Sequence, residues 1–313
     1  MVGRLACALA ILVGGQLMAA EPKRVDAVTK ADIVYGEAGG EKLYLDLATP
    51  KAQMGGDNGP FPCVVALHGG AWTGGSRKNL SKPVPWAELG LPEETAAARS
   101  FIEEVASRGY VAASVGYRLA PAHKFPAHIE DVKTAVRYLR ANAKALNLDP
   151  ERIGVVGFSA GGHLAALLGT ADKSAGFDTD LYPEQSSKVK CVVDFFGPSD
   201  LSLYAETPGI EQAFMKPLLG GTFDKRPELF RKASPVEYVT KDAPPFLIFH
   251  GTADFVVPYV HSTRLLAKLK AAGVPAELVP MRGKSHGWLG EDARASHERQ
   301  MKFFAEHLKP AAN

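Results

Sequence analysis

The 313-residue sequence predicts an α/β domain whose central sheet is mostly parallel and covered by helices on both faces. Two observations predict this class. Short apolar runs alternate with amphipathic helical stretches from about Asp32 to the C-terminus. Several of these runs are apolar throughout, which is typical of strands buried on both faces. The chain length fits one large domain better than two small ones, so we assign residues 21–313 to a single domain.

The elements follow one another in a regular order. An antiparallel pair opens the domain, with Val34-Tyr35 and the run 43–48 joined at Gly39-Gly40. Further strands are predicted at 63–67, 110–115, 153–157, 189–196, 245–250 and 276–280. Helices are predicted at 96–107, 126–147, 163–170, 260–272 and 293–308. Segment 201–241, which holds four prolines, breaks this alternation and predicts a small insertion that lies over the sheet edge as a lid.

The N-terminus has the pattern of a secretory signal peptide. Arg4 is followed by an apolar stretch over 5–18, and small residues at 19 and 20 precede Glu21. We therefore expect cleavage after Ala20, export to the periplasm or beyond, and no stable membrane insertion of the mature chain. An uncleaved membrane anchor is the alternative, although the apolar stretch is short for a span.

Composition argues against several other classes of function. The formal net charge is +2 and no Lys/Arg-rich run is present, so we do not expect nucleic-acid binding.

Cys63 and Cys191 each begin an apolar run, and we expect two buried thiols rather than a disulfide. His123 and His128 have no matching carboxylate cluster, and no phosphate or dinucleotide loop occurs. We expect no metal and no cofactor.

The pentapeptide Gly157-Phe-Ser-Ala-Gly161 carries the strongest chemical signal. It directly follows a predicted strand and precedes a helix, which is the context of a nucleophile elbow. The turn strains the backbone at the serine, and side chains two residues to either side would collide with the neighbouring strand and helix. Ser159 is therefore the predicted nucleophile of an α/β-hydrolase.

A serine hydroxyl needs a base to take its proton and an acid to orient that base. In this fold the chain order is serine, acid, histidine. His286 lies in a loop after the last predicted strand, and Asp254 follows the strand before it, so both reach the carboxyl edge of the sheet. We predict the triad Ser159, Asp254 and His286, with Asp200 as the alternative acid.

The tetrahedral intermediate of acyl transfer needs backbone N–H donors for its oxyanion. We predict Ala160, which follows the nucleophile, together with Gly70 and Ala71 from an early glycine-rich loop; Gly69 is the nearest alternative. Trp72 in the same loop borders the acyl pocket, offers a sugar a stacking face, or packs as a loop aromatic.

Taken together, several motifs resemble those of hormone-sensitive-lipase-related esterases, and most closely the branch of acetyl xylan and feruloyl esterases. The motifs are His68-Gly-Gly-Ala-Trp72, Tyr117-Arg-Leu-Ala-Pro121 with Asp131 after it, the serine pentapeptide and Ser285-His-Gly287. The resemblance covers the chain from about Leu43 onward. It implies a cofactor-free serine carboxylesterase that acts on acetyl or feruloyl esters, as small molecules or on a plant-wall polysaccharide such as xylan. It also implies that Arg118 and Asp131 tie a helix to a strand-end loop.

Three alternatives remain open from the sequence. The His-Gly-Gly-Ala-Trp motif also resembles that of kynurenine formamidases, which are amide hydrolases. The run from His250 to Asp254, with Pro258 after it, resembles prolyl-oligopeptidase-like catalytic domains. A binding protein that keeps the fold without turnover is the third, and the intact triad argues against it. The oligomeric state is not predicted.

Overall fold

The computed structural model describes residues 25–51, 59–82 and 99–309. The predicted signal peptide at 1–20 lies outside the described residues. Eight strands form one sheet in the order β1-β2-β4-β3-β5-β6-β7-β8. They are β1 (Ala27–Ala38), β2 (Glu41–Pro50), β3 (Phe61–Leu67), β4 (Val111–Val115), β5 (Leu148–Phe158), β6 (Val192–Phe195), β7 (Phe246–Gly251) and β8 (Ala276–Met281).

The sheet is mixed only at one side. β2 runs antiparallel to both β1 and β4, and every pairing from β4 through β3 to β8 is parallel. The carboxyl ends of β3 and β5 to β8 therefore lie along one edge. The predicted α/β class with a mostly parallel sheet is confirmed.

Helices cover both faces of the sheet. They are α1 (Lys78–Ser81), α2 (Phe101–Ser107), α3 (Ala127–Ala141), α4 (Ala160–Thr170), α5 (Pro208–Ile210), α6 (Lys216–Leu219), α7 (Pro227–Lys232), α8 (Val260–Ala271) and α9 (Gly290–Leu308). Buried side chains of α3, α4 and α8 pack into one hydrophobic cluster, and those of α2 and α9 into another. The fully buried strand β3 supplies both, since Val65 points to the first cluster and Val64 to the second.

Two predicted helix boundaries are wrong, and each has a local cause. The helix predicted over 126–147 ends at Ala141, and β5 begins at Leu148 rather than at 153. Asn147 has a φ of +51° and accepts a hydrogen bond from Phe61 N, so pairing with β3 overrides the helical periodicity. The helix expected from 96 begins at Phe101, because Ser100 and Glu103 form a capping box there.

The insertion at 201–241 consists of short helical pieces that pack into the core. Besides α5, α6 and α7 it contains a π-helix (Glu211–Met215) and two 3-10 helices (Leu201–Glu206 and Pro235–Glu237). Met215, Leu218 and Phe230 are fully buried in the cluster that includes α3 and α4. A function of this insertion as a lid stays a prediction.

Both cysteines in the described residues are free and buried, as expected. Burial raises the pKa of the Cys63 thiol to about 12, so it stays protonated and packs as a small apolar side chain. No helix in the described ranges combines the length and the apolar character needed to cross a bilayer.

A buried ion pair ties α3 to the loop after β4, in agreement with the resemblance. Arg118 Nη2 lies 2.8 Å from Asp131 Oδ1, and the Arg118 amide donates to Asp131 Oδ2 at 2.9 Å. The Asp131 side chain is 1% exposed, whereas Glu130, the second carboxylate near Arg118, is 29% exposed and 3.4 Å away.

Removing one partner of a buried pair leaves the other charge uncompensated. We therefore expect Asp131→Ala to lower the free energy of unfolding by about 3–5 kcal/mol, measured by denaturant unfolding. Glu130→Gln serves as the control and is expected to change it by no more than about 1 kcal/mol. Equal effects of the two variants would contradict the assigned role of Asp131.

Candidate active site

Ser159 lies in a tight turn between β5 and α4, at the carboxyl edge of the sheet. Its φ and ψ are 54° and −118°, a strained conformation for a residue other than glycine. The turn requires glycine on either side. A Cβ on Gly157 would lie 2.0 Å from Gly161 O, and one on Gly161 would lie 2.2 Å from Leu67 O. These contacts explain the two glycines of the sequence pattern.

Three of the predicted site residues meet in one hydrogen-bonded chain. His286 Nε2 lies 2.8 Å from Ser159 Oγ, and His286 Nδ1 lies 2.7 Å from Asp254 Oδ2. Asp254 comes from the loop after β7 and His286 from the loop after β8, so the parallel strands bring both to the serine. When Nδ1 carries the proton and donates to Asp254, Nε2 is free to accept the Ser159 hydroxyl proton.

The environment of Asp254 holds the carboxylate in its ionised form. Its Oδ1 accepts hydrogen bonds from the Val256 and Val257 amides, both at 2.9 Å. Burial alone would raise the pKa of Asp254. The nearby His250 ring and the hydrogen bonds from His286 and the Val257 amide outweigh burial and lower this pKa far below its ordinary value.

The other acids and histidines considered from the sequence have different partners. Asp200, the alternative acid, accepts from Ser202 and pairs with Arg264 at 2.7 Å. His250 is fully buried and lies 2.6 Å from Ser262 Oγ through Nδ1. Burial lowers the pKa of His163 to about 4, so this imidazole is neutral. In the described part of the chain, no cluster of three or more His, Cys, Asp or Glu side chains is arranged to hold a metal.

The glycine-rich loop after β3 lies against the serine. A Cβ built on Gly69 would be 3.4 Å from Ser159 Cβ. His68 stacks on Tyr117 at 4.2 Å between ring centroids, and the Tyr117 hydroxyl donates to His68 O, which fixes the start of the loop. Within the described residues, the N–H groups of Gly70, Ala71 and Ala160 donate to no protein acceptor. Gly69 thus brings the loop against Ser159, and an oxyanion-binding function of the Gly70, Ala71 and Ala160 amides stays a prediction.

Trp72 does not occupy the exposed position that a sugar-stacking residue needs. It is 3% exposed, and its indole N–H donates to His163 Nδ1 at 3.1 Å. Its backbone φ is +60°, so the loop turns the side chain inward onto α4. The indole is therefore not presented to a sugar and packs as a loop aromatic, whereas a function of Trp72 in bordering the acyl pocket stays a prediction.

Two further residues at the site were not predicted. Phe196, directly after β6, has a φ of +45° and places its ring centroid 4.8 Å from that of His286. Asp194 on β6 is fully buried beneath the elbow, where its Oδ1 accepts from the Gly197 amide at 2.8 Å. No pattern in the sequence marked Phe196.

The mostly parallel eight-stranded sheet with its strained serine turn defines an α/β-hydrolase. More narrowly, a family model described as BD-FAE matches residues 45–269, and the chain belongs to this family.

Named relatives and solved structures support this assignment. Esterase LipC of Mycobacterium tuberculosis is 33% identical over 232 residues, which cover 73% of this chain and 53% of LipC. A truncated carbohydrate esterase from gut microbiota superposes with a TM-score of 0.71 at 28% identity, covering 93% of this chain and 99% of its own. An acetyl ester-xyloside bifunctional hydrolase from Caldicellulosiruptor lactoaceticus gives 0.66 at 26% identity, covering 92% and 98%. The chain spans about half the length of the curated relatives it matches.

Burial of Asp194 leads to a prediction of how the stability of the protein depends on pH. Desolvation raises its pKa from 3.8 to about 7 in the folded protein. Between these values the folded state holds a proton that the unfolded chain has lost, so Asp194 reduces stability increasingly as pH rises from about 4 to 7.

Asn at this position keeps the acceptor for Gly197 and cannot ionise. We expect Asp194→Asn to become more stable relative to the wild type as pH rises from 4 to 7, with no further gain above about pH 8. Denaturant unfolding at a series of pH values measures this difference. A difference that does not vary with pH would contradict the raised pKa.

Proposed function

We propose that the protein is a serine carboxylesterase that works through an acyl-enzyme on Ser159. The observation that carries this proposal is the hydrogen-bonded arrangement of Asp254, His286 and Ser159, with distances of 2.7 and 2.8 Å, at the edge where the glycine-rich loop lies against Ser159. The esterase names of the relatives and structural neighbours support it.

In this mechanism His286 Nε2 takes the proton of Ser159 as Oγ attacks the ester carbonyl. Asp254 stays ionised, keeps the proton on Nδ1 and stabilises the imidazolium that forms. The amides of Gly70, Ala71 and Ala160 bind the oxyanion. The imidazolium then gives its proton to the leaving alcohol, and water releases the acid through the same base.

For the substrate, we propose small acyl esters, acetyl or feruloyl, carried by plant-wall polysaccharide such as xylan. Two structural neighbours, described as a carbohydrate esterase and an acetyl ester-xyloside bifunctional hydrolase, support this choice. Export, proposed from the first twenty residues alone, would bring the enzyme to an extracellular polymer. Processing is testable by N-terminal sequencing of the secreted protein, with Glu21 expected first.

Loss of the nucleophile tests the reaction class directly. We expect Ser159→Ala to reduce p-nitrophenyl acetate turnover by a factor on the order of 10⁶ while the melting temperature stays near that of the wild type. A fluorophosphonate probe should label the wild type at Ser159 and leave the variant unlabelled, as seen by peptide mass spectrometry. Wild-type protein that neither turns over the ester nor reacts with the probe would refute the proposal.

A matched pair of substitutions tests the assignment of the acid. Asp254→Asn should lower kcat by a factor on the order of 10⁴, because the amide no longer favours the productive tautomer of His286. Asp200→Asn, which breaks only the partly exposed pair with Arg264, should cost less than about tenfold. The reverse order of effects would move the acid to Asp200.

A further inference from the structure

Trp72 and His163 join the glycine-rich loop to the helix that follows the nucleophile. The Trp72 indole N–H donates to His163 Nδ1 at 3.1 Å, and the two rings meet edge to face at 87° with 5.1 Å between centroids. His163 is fully buried and Trp72 is 3% exposed. A hydrogen bond in such a dry environment is electrostatically stronger than one in water. The contact thus adds a directional bond to the packing of the two rings.

His163 is also bonded to the serine turn. Its amide donates to Ser159 O at 2.9 Å, in the first turn of α4. One residue therefore contacts the turn of the nucleophile through its backbone and the glycine-rich loop through its ring. The separation between this loop and Ser159 depends on where the His163 side chain lies.

The other ring nitrogen of His163 decides which tautomer it adopts. His163 Nε2 lies 2.7 Å from Ala233 O, which can only accept, so Nε2 carries the proton. Burial lowers the pKa of His163 to about 4, so the ring is neutral and Nδ1 keeps a lone pair for the Trp72 indole. Ala233 follows α7 in the insertion, and the hydroxyl of the next residue, Ser234, accepts from the Leu201 amide at 2.8 Å. The carbonyl that selects the tautomer is thereby held in place.

The glycine-rich loop needs an anchor because its backbone is strained. Gly70, Ala71 and Trp72 have φ values of +124°, +52° and +60°, and only the first of them is glycine. Left-handed residues that carry a Cβ cost free energy and persist only where contacts over-determine them. The Trp72 carbonyl accepts from the Ala120 amide at 2.9 Å, and the indole bond holds the side chain. Loss of the indole bond would remove the side-chain half of this anchor, directly next to Ala71.

We propose that His163 is a positioning residue, which holds the glycine-rich loop at a fixed distance from Ser159 by accepting the indole N–H of Trp72. The inference rests on the proposed esterase function, in which the Gly70 and Ala71 amides bind the oxyanion, and adds a residue that acts through this loop. A displacement of about 1 Å at a reacting centre can lower a rate about 100-fold. Relaxation of the loop should therefore slow the chemical step without weakening the binding of the ester.

Two substitutions of His163 separate the functions of its two nitrogens. In His163→Asn, the side-chain oxygen can take the position of Nδ1 and keep an acceptor for Trp72. In His163→Gln, the amide nitrogen can take the position of Nε2 and keep the donor to Ala233, but the acceptor for the indole is lost. Trp72→Phe removes the indole N–H and leaves an aromatic ring in the loop.

Kinetics with p-nitrophenyl acetate measure the effect on the reaction. We expect Trp72→Phe and His163→Gln each to lower kcat and kcat/KM by the same factor, about 10- to 100-fold, because the loop acts in the transition state and not on ester binding. His163→Asn should recover most of the loss that His163→Gln causes. Trp72→Phe combined with His163→Gln should cost no more than either substitution alone, since both remove the same bond.

Leu167→Ala controls for a general loss of stability. Leu167 is fully buried on the same helix, one turn beyond His163. The substitution leaves a cavity in the core and should lower the melting temperature, while kcat stays near the wild-type value. If Leu167→Ala lowered kcat as much as His163→Gln does at a similar melting temperature, the positioning function would be overturned.

NMR spectra of ¹⁵N-labelled protein test the position of the loop without any turnover. His163→Gln should shift the Trp72 indole signal and the Gly70 and Ala71 amide signals, and His163→Asn should return them toward their wild-type positions. Loop signals that His163→Gln leaves unchanged, or equal kcat values in the two His163 variants, would overturn the inference and leave the esterase standing. If no ester is turned over, the esterase proposal fails, and the same spectra decide whether His163 holds the loop.

Discussion

The turn at Ser159 is the constraint on which the rest of the site depends. Three backbone segments approach so closely there that a Cβ on Gly157 or Gly161 would overlap a carbonyl oxygen. Backbone strain of this kind costs on the order of 1–3 kcal/mol and persists only where the surroundings over-determine it. Here β5 is held between β3 and β6, and nearly every residue of α4 is buried, so the turn cannot relax. The strain keeps the Ser159 hydroxyl and the Ala160 amide together at the sheet edge.

Two buried carboxyl groups near this turn show how local hydrogen bonding shifts the pKa of a buried acid. Asp254 receives two backbone amides and lies beside His250 and His286, and its pKa falls. Asp194, one strand nearer the serine, receives only the Gly197 amide, and burial raises its pKa to about 7. The chain thus places an ionised acid against His286 and, under the elbow, a carboxyl whose pKa burial raises.

Local patterns and chain order were enough to predict the sheet, the elbow and the meeting of Ser159, Asp254 and His286, because parallel strands deliver their carboxyl ends to one edge. They failed where a distant segment decides the outcome. Trp72 turns inward because its indole N–H bonds to His163, which is 91 positions away in the chain. α3 stops at Ala141 because Asn147 joins β3.

Most of the strained backbone conformations lie at the carboxyl edge of the sheet. Seven residues other than glycine have positive φ in the described part of the chain, and four of them, Ala71, Trp72, Ser159 and Phe196, lie at or beside the carboxyl ends of β3, β5 and β6. Each of these strained conformations costs stability, and the well-packed core of the sheet can tolerate this cost. The packing of the core does not itself require the strain. Strain at Ser159 positions its hydroxyl next to His286, and strain at Phe196 holds its ring against the same imidazole.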